Sequence, residues 1–96
     1  MIETVAYVPT SNAARYVTQL CKHWSHKLPV DRQDDRGVVK FGDAVATLEP
    51  DDEELVVTIL ANDQPTAERL QTVVATHLER FAFREAPLAF QWQVRG

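Results

Sequence analysis

Two stretches of helical periodicity constrain the fold of this chain more than any other feature. Apolar residues fall at positions 13, 16, 17, 20, 21, 24 and 28, and again at positions 67, 70, 73, 74, 78 and 81. Spacings of three and four place such residues on one face of an α-helix. Two amphipathic helices in a chain of 96 residues need a second layer to cover both apolar faces.

Strand-like runs supply that layer. Apolar and β-branched residues dominate residues 2–8, residues 88–94 and three short runs between the helices. The three central runs are residues 38–41, 44–48 and 55–60, and the charged segment 31–36 before them is predicted as a loop. The order β-α-β-β-β-α-β predicts one α+β domain over residues 1–96. It would be a two-layer sandwich, with a mainly antiparallel sheet of about five strands and both helices on one face.

The number of strands between the helices sets their relative direction. Three antiparallel strands return the chain to its starting direction, so the two helices are predicted to run parallel. His23 and His77 would then share one level along the helix axes. Both lie on the same rotational side of their apolar faces, whereas parallel neighbours present opposite sides to each other. We therefore expect the two rings not to touch.

The sheet face turned away from the helices is predicted to be more apolar than a solvated face. Its candidate positions are Val5, Tyr7, Val39, Phe41, Val56, Thr58 and Leu60. A solvated antiparallel face alternates apolar and polar residues more cleanly. Either a second copy covers part of this face, which predicts a homodimer, or the assumed register is wrong by one residue.

Charge and cysteine content narrow the class of protein. The net charge is −4, with acids concentrated in residues 31–63 and mildly basic segments on both sides. This balance argues against a generic duplex-DNA binder, so no nucleic-acid partner is predicted. No apolar run is long enough for a membrane span, and the N-terminus does not resemble a signal peptide. The single Cys21 cannot form an internal disulfide, which favours the cytoplasm.

The histidines are the first candidates for chemistry. Residues 21–26 contain Cys21, His23 and His26 at spacings that suggest a metal site. On one helix, however, Cys21 and His23 would lie about 160° apart and cannot share an ion. His23 and His26 could do so with outside ligands. His77 lies inside the second apolar stripe, where a partly buried structural role and a catalytic role both remain open.

Basic residues cluster at the predicted C-terminal ends of both helices: Lys22, Lys27, Arg80 and Arg84. Cations at these positions stabilise a helix by offsetting its macrodipole. The alternative is a site for an anion or an acidic partner. Glycine-rich phosphate loops and the common catalytic motifs are absent from the sequence, so no cofactor and no resident metal is predicted.

Two sequence blocks resemble those of a bacterial family. Residues 20–27 read LCKHWSHK, followed by Pro29 and Val30, and residues 77–85 read HLERFAFRE. Both blocks, the element order and the closing strand with Trp92 resemble the family of domain of unknown function 2218. Relatives in that family occur beside or fused to siderophore-interacting flavin reductases. The resemblance therefore implies a link to iron acquisition, and it assigns no role to individual residues.

Together these features predict a small, non-catalytic binding or accessory module, with a link to siderophore-iron handling. Its partner would be an acidic protein or a ligand related to ferric siderophores. The predicted site comprises His23, His26, Lys27, His77, Arg80 and Arg84. The alternative is a histidine-based metal-binding domain or a small enzyme that uses His23, His26 and His77.

Overall fold

Six strands and two helices make up the computed structural model, which describes residues 1–95. In chain order they are β1 (Ile2–Pro9), α1 (Ala13–Trp24), β2 (Val30–Gln33), β3 (Arg36–Phe41), β4 (Ala44–Pro50), β5 (Glu54–Ala61), α2 (Gln64–Phe81) and β6 (Trp92–Val94). The strands form one sheet in the order β2-β3-β4-β5-β1-β6, and every neighbouring pair is antiparallel. The α+β class and the two-layer arrangement are confirmed.

Both helices pack on the same sheet face. α1 lies over β3 and β4, while α2 lies over β5 and β1. Alternate residues of each strand point into this layer, as in β5, where Leu55, Val57 and Ile59 are fully buried. α1 contributes Val17 and Leu20 to the same core. Neither helix among residues 1–95 has the length and apolar character that a membrane crossing requires.

The start of α2 is set by local chemistry. Asp63 occupies the N-cap, and its Oδ1 accepts a hydrogen bond of 2.9 Å from the backbone N–H of Thr66. This hydrogen bond favours the ionised carboxylate and lowers the pKa of Asp63. Pro65 follows in the first turn, where a backbone N–H would have no partner within the helix, so its absence loses no hydrogen bond.

The prediction of five strands was wrong by one. Residues 31–36 were expected to form a loop, but Val30–Gln33 form an edge strand paired with β3. Asp34, with φ of 55°, lies in the tight turn between them. An edge strand can carry charged side chains in water, so its composition resembles that of a loop. The last strand is also shorter than predicted, since it covers Trp92–Val94 and leaves out the predicted residues 88–91.

The extra strand reverses the second helix. Four antiparallel strands now separate α1 from α2, so the helices run antiparallel and the prediction of parallel helices was wrong. Two contacts show the direction. Tyr16, early in α1, hydrogen-bonds to Glu85 just after α2, whereas His23, late in α1, meets His77 further back in α2.

The sheet face turned away from the helices, called the open face below, carries a mostly apolar centre. Its central residues are Val5, Tyr7, Val38, Val45, Thr47, Val56, Thr58 and Leu60. Val39 and Phe41 were assigned to this face wrongly. Val39 is fully buried in the core, and Phe41 packs edge-on against Trp24 with ring centroids 5.3 Å apart. The register of β3 is therefore shifted by one residue from the expected one.

Candidate functional site

The end of α1 turns sharply and presents the first sequence block. The carbonyl oxygen of Trp24 accepts hydrogen bonds from the backbone N–H groups of Lys27 (3.0 Å) and Leu28 (2.8 Å). This turn leaves His26 and Lys27 exposed just beyond the helix, while Trp24 itself is buried. Pro29 then ends the turn and leads into β2.

Four aromatic rings from the two blocks meet between the helices. The ring centroids of His23 and His77 are 5.4 Å apart, as are those of Trp24 and His77. His23 also lies edge-on to Phe81, with centroids 5.9 Å apart. The expectation that His23 and His77 do not touch was therefore wrong. Antiparallel neighbours present the same rotational side to each other, so the reversal of α2 brings the two histidines together.

His77 is held in one tautomer. Its Nδ1 lies 2.7 Å from the carbonyl oxygen of Val73, one turn earlier in α2. Because a carbonyl oxygen only accepts, Nδ1 carries the proton, and Nε2 has the free lone pair when the ring is neutral. The side chain is half-buried, as expected for the boundary of an apolar stripe.

These residues line a groove of about 470 Å³, which we call the histidine groove. Its walls are His23, Trp24, His26, Lys27, Leu28 and His77. Trp24 and Leu28 supply apolar surface, Lys27 supplies a cation, and the histidines supply hydrogen-bonding nitrogens. Four of the six predicted site residues thus share one groove: His23, His26, Lys27 and His77.

The two predicted arginines lie elsewhere. Arg84 lines a neighbouring hollow of about 300 Å³, whose walls are Asn12, Arg15, Tyr16, Phe81, Phe83, Arg84 and Glu85. Its guanidinium carbon is 5.8 Å from the ring centroid of Phe83, which is 70% exposed. Arg80 is exposed on α2 and lines neither hollow.

Glu85 organises the neighbouring hollow, a role for which no local sequence pattern is a signal. Its carboxylate accepts hydrogen bonds from the Thr10 hydroxyl (2.9 Å), the Asn12 amide (3.2 Å) and the Tyr16 hydroxyl. The bond from Tyr16, followed by that from Asn12, lowers the pKa of Glu85. Burial, together with the neighbouring carboxylate, raises the pKa of Tyr16. The partners are about 70 residues from Glu85 in sequence, so only the fold brings them together.

The arrangement of the side chains gives limited support to a metal site. Within residues 1–95, no three histidine, cysteine or carboxylate side chains converge on a point that could hold a metal ion. Cys21 is buried on the core side of α1, and burial raises the pKa of its thiol. A buried neutral thiol is a packing group rather than a nucleophile.

The comparisons with known proteins agree with the sequence blocks. The family model described as "Uncharacterized protein conserved in bacteria (DUF2218)" matches residues 5–93. The NMR structure of PA4090 from Pseudomonas aeruginosa is similar at a TM-score of 0.84 and 36% sequence identity, covering 97% of this chain and 96% of that chain. The search of curated proteins finds no match. With nearly its whole length matched, the chain belongs to the bacterial family DUF2218.

Proposed function

We propose that this protein is a small binding module whose ligand occupies the histidine groove. The observation that carries the proposal is the meeting of the two sequence blocks, which places the rings of His23, Trp24 and His77 in one cluster beside Lys27. A groove with flat ring walls and a cation fits a flat, anionic ligand. Charge-assisted hydrogen bonds from Lys27 would hold its acidic oxygens.

Catecholate chemistry has both of these features. A catecholate is a flat ring with two negatively charged oxygens, and its ferric complex keeps a net negative charge. The family resemblance to proteins found near siderophore-interacting reductases makes ferric catecholates the first ligands to test. The module would bind the complex without changing it, and the reductase would be its functional neighbour.

Titration calorimetry and two-dimensional NMR with ferric tris-catecholate test the proposal. Free catechol and sodium sulfate serve as comparison ligands, because each carries only one of the two features. We expect saturable binding of the ferric complex, with paramagnetic broadening of amide signals centred on the turn after α1 and on His77. A titration in which the ferric complex neither shifts nor broadens the resonances of the histidine groove would contradict the proposal.

Matched charge reversals locate the site. Lys27→Glu removes the cation of the groove and should weaken binding about tenfold, the cost of losing one charge-assisted hydrogen bond. Lys22→Glu is the control, because Lys22 is exposed in the last turn of α1, close to Lys27 in sequence, but does not line the groove. Both variants lose a cation near the end of α1, so both should lower the melting temperature by a similar few degrees. Arg84→Glu reports whether the neighbouring hollow contributes. Equal loss of affinity in the Lys22 and Lys27 variants would place the site elsewhere.

A second candidate is a histidine metal site, and the hydrogen bond from His77 Nδ1 to Val73 favours it. Metal-ligating histidines commonly donate their other ring nitrogen to a backbone carbonyl in this way. His23 and His77 would supply two ligands, and His26 or an external group would supply the rest. Equilibrium dialysis against Zn²⁺, Ni²⁺ and Fe²⁺ separates the two candidates. Stoichiometric metal that is lost in both His23→Ala and His77→Ala would support this second candidate.

A further inference from the structure

The open face is laid out so that a second copy of the chain fits it. The strand register arranges its residues in three rows that cross the sheet. The middle row is Asp31, Val38, Thr47, Thr58, Val5 and Gln93, in order from β2 to β6. One flanking row contains Lys40, Val45, Leu60 and Glu3, and the other contains Arg36, Glu49, Val56 and Tyr7.

The apolar residues lie at the centre of this pattern and the charges lie towards its edges. Val5 is fully buried by its neighbours, Tyr7 is 40% exposed, and the other central residues are half-buried. The cations Arg36 and Lys40 are both on β3. Glu3 is on β1, which lies three strands away from β3 in the sheet. On the two strands that flank the apolar centre, β3 thus carries two cations and β1 carries one acid. Asp31 on β2 and Arg95, whose backbone N–H donates to the Glu3 carbonyl oxygen, lie further out.

We propose that two copies pair through their open faces about a two-fold axis that runs parallel to the strands, between β4 and β5. This axis exchanges β4 with β5 and β3 with β1. It places Lys40 opposite Glu3 of the second copy, and by symmetry Glu3 opposite the second Lys40. Aligned sheets in sandwiches pack in this way, with mean strand directions within about 30° of each other.

The same two-fold axis also brings the other residues of the three rows opposite suitable partners in the second copy. Val38 lies opposite the second copy's Val5, and Val45 lies opposite the second copy's Leu60. Arg36 lies over the ring of the second copy's Tyr7, an arrangement that favours a cation–π contact. Within the three rows, Glu49 faces Val56 of the second copy, and it neighbours Arg36 of its own copy, with which it lines a surface hollow.

The other simple axis is disfavoured by charge. A two-fold axis across the strands would place each strand of one copy over the same strand of the other. Lys40 would then lie over Arg36 of the second copy, so the cations of β3 would repel each other. Charge complementarity therefore selects the axis parallel to the strands.

The area of the open face sets the expected strength of the dimer. Six strand widths and three rows that each span two residues give a face of about 29 Å by about 20 Å. Two copies would bury on the order of 1,000 Å², at the low end of specific interfaces, so we expect a dissociation constant in the micromolar range. The pairing leaves both helix layers, and both histidine grooves, on the outside, and it does not depend on what those grooves bind.

Sedimentation velocity over about 10 µM to 1 mM protein tests the proposal with two charge reversals. Lys40→Glu and Glu3→Lys each place like charges together, and each should weaken dimerisation at least about tenfold. An equimolar mixture of the two variants should form a heterodimer as stable as the native dimer. In that heterodimer, residue 40 of each copy faces a residue 3 of opposite charge. Circular dichroism checks that each variant is folded.

The controls carry the same change in charge away from the open face. Lys22→Glu on α1 and Asp52→Lys in the turn before β5 should dimerise like the native protein. Three outcomes would overturn the proposal: a native protein that is monomeric at 1 mM, single variants that dimerise normally, or a mixture that does not recover the dimer.

Discussion

At position 37, the limited space between β3 and α1 favours glycine over any larger residue. Gly37 lies in β3 on the helix side of the sheet, directly beneath Cys21 and Val17 of α1. A Cβ atom at this position would approach the Cys21 sulfur more closely than Cβ atoms are found in proteins. Glycine therefore lets α1 pack close to the sheet, and it does so without a positive backbone φ angle. Gly42 differs, since its φ of 64° serves the turn between β3 and β4.

Replacing Gly37 by alanine should destabilise the protein by about 1–3 kcal/mol, because the added methyl group overpacks the contact with Cys21. Cys21→Ala removes the sulfur that the methyl group would meet. The double variant Cys21→Ala/Gly37→Ala should therefore be more stable than Gly37→Ala alone. Urea denaturation of the native protein and the three variants measures this coupling. Purely additive effects would show that the two positions do not compete for the same space.

At the scale of elements, Glu85 fastens the segment after α2 to the start of α1. Three donors from residues 10–16 converge on its carboxylate, and the neighbouring Glu79 accepts a hydrogen bond of 2.8 Å from the backbone N–H of Leu88. Two glutamates thus hold a segment that contains little regular structure of its own. The second sequence block, residues 77–85, includes both of these anchors.

Glu85→Gln should make the stability of the protein less dependent on pH. The folded pKa of Glu85 is lowered from its usual 4.5, so its ionised form stabilises the fold. That stabilisation is complete above the usual value and is lost as the pH falls through the lower, folded value. The variant should therefore be less stable than the native protein at pH 7, and the difference should shrink below pH 4.5.

Urea denaturation at pH 7 and at pH 3.5 tests this, and the control is Glu68→Gln. Glu68 is exposed on α2, and its carboxylate accepts a hydrogen bond from the nearby Gln64 side chain, so this variant should lose little at either pH. Tyr16→Phe removes the donor that most lowers the pKa of Glu85, and it should reduce the same pH dependence. A constant difference between native and Glu85→Gln protein at both pH values would contradict this account.

The elements also show where prediction from sequence succeeds and where it fails. Both helices were predicted because their apolar spacing is imposed by burial against the sheet. β2 was missed because it is an edge strand whose side chains Asp31, Arg32 and Gln33 are exposed, so burial leaves no pattern in its sequence. That one omission reversed α2, and the reversal in turn produced the wrong expectation for His23 and His77. Local errors in strand number therefore become global errors in helix direction.

At the scale of the whole molecule, the predicted class and family were right because they depend on features spread along the chain. The prediction of a site with His23, His26, Lys27 and His77 rested on parallel helices and that premise was wrong, yet these four residues line one groove. The offset between the helices accounts for this: the end of α1 meets the last third of α2, so the two blocks adjoin even in antiparallel helices. The separation of Arg84 into another hollow depends on side-chain packing around Phe81, which no spacing rule describes.

The proposed dimer predicts a melting temperature that rises with protein concentration. Association stabilises the folded state by mass action, so the effect should appear between about 10 µM and 1 mM, around the expected dissociation constant. Lys40→Glu should flatten this dependence, whereas Lys22→Glu should leave its slope unchanged. Differential scanning calorimetry at several concentrations measures both. A melting temperature independent of concentration in the native protein would contradict the prediction.

The position of β1 has a consequence for the order in which the chain can assemble. β1 lies inside the sheet, between β5 and β6, and pairs residue by residue from Ile2 with Ala61 to Pro9 with Glu54. β2 to β5 can pair as successive hairpins during synthesis, but β1 has no backbone partner until β5 has been made. Pairing across such long separations slows folding relative to local pairing. Until that docking occurs, β5 exposes an unpaired edge to other nascent chains, so the first strand protects the protein against misassembly only late in its folding.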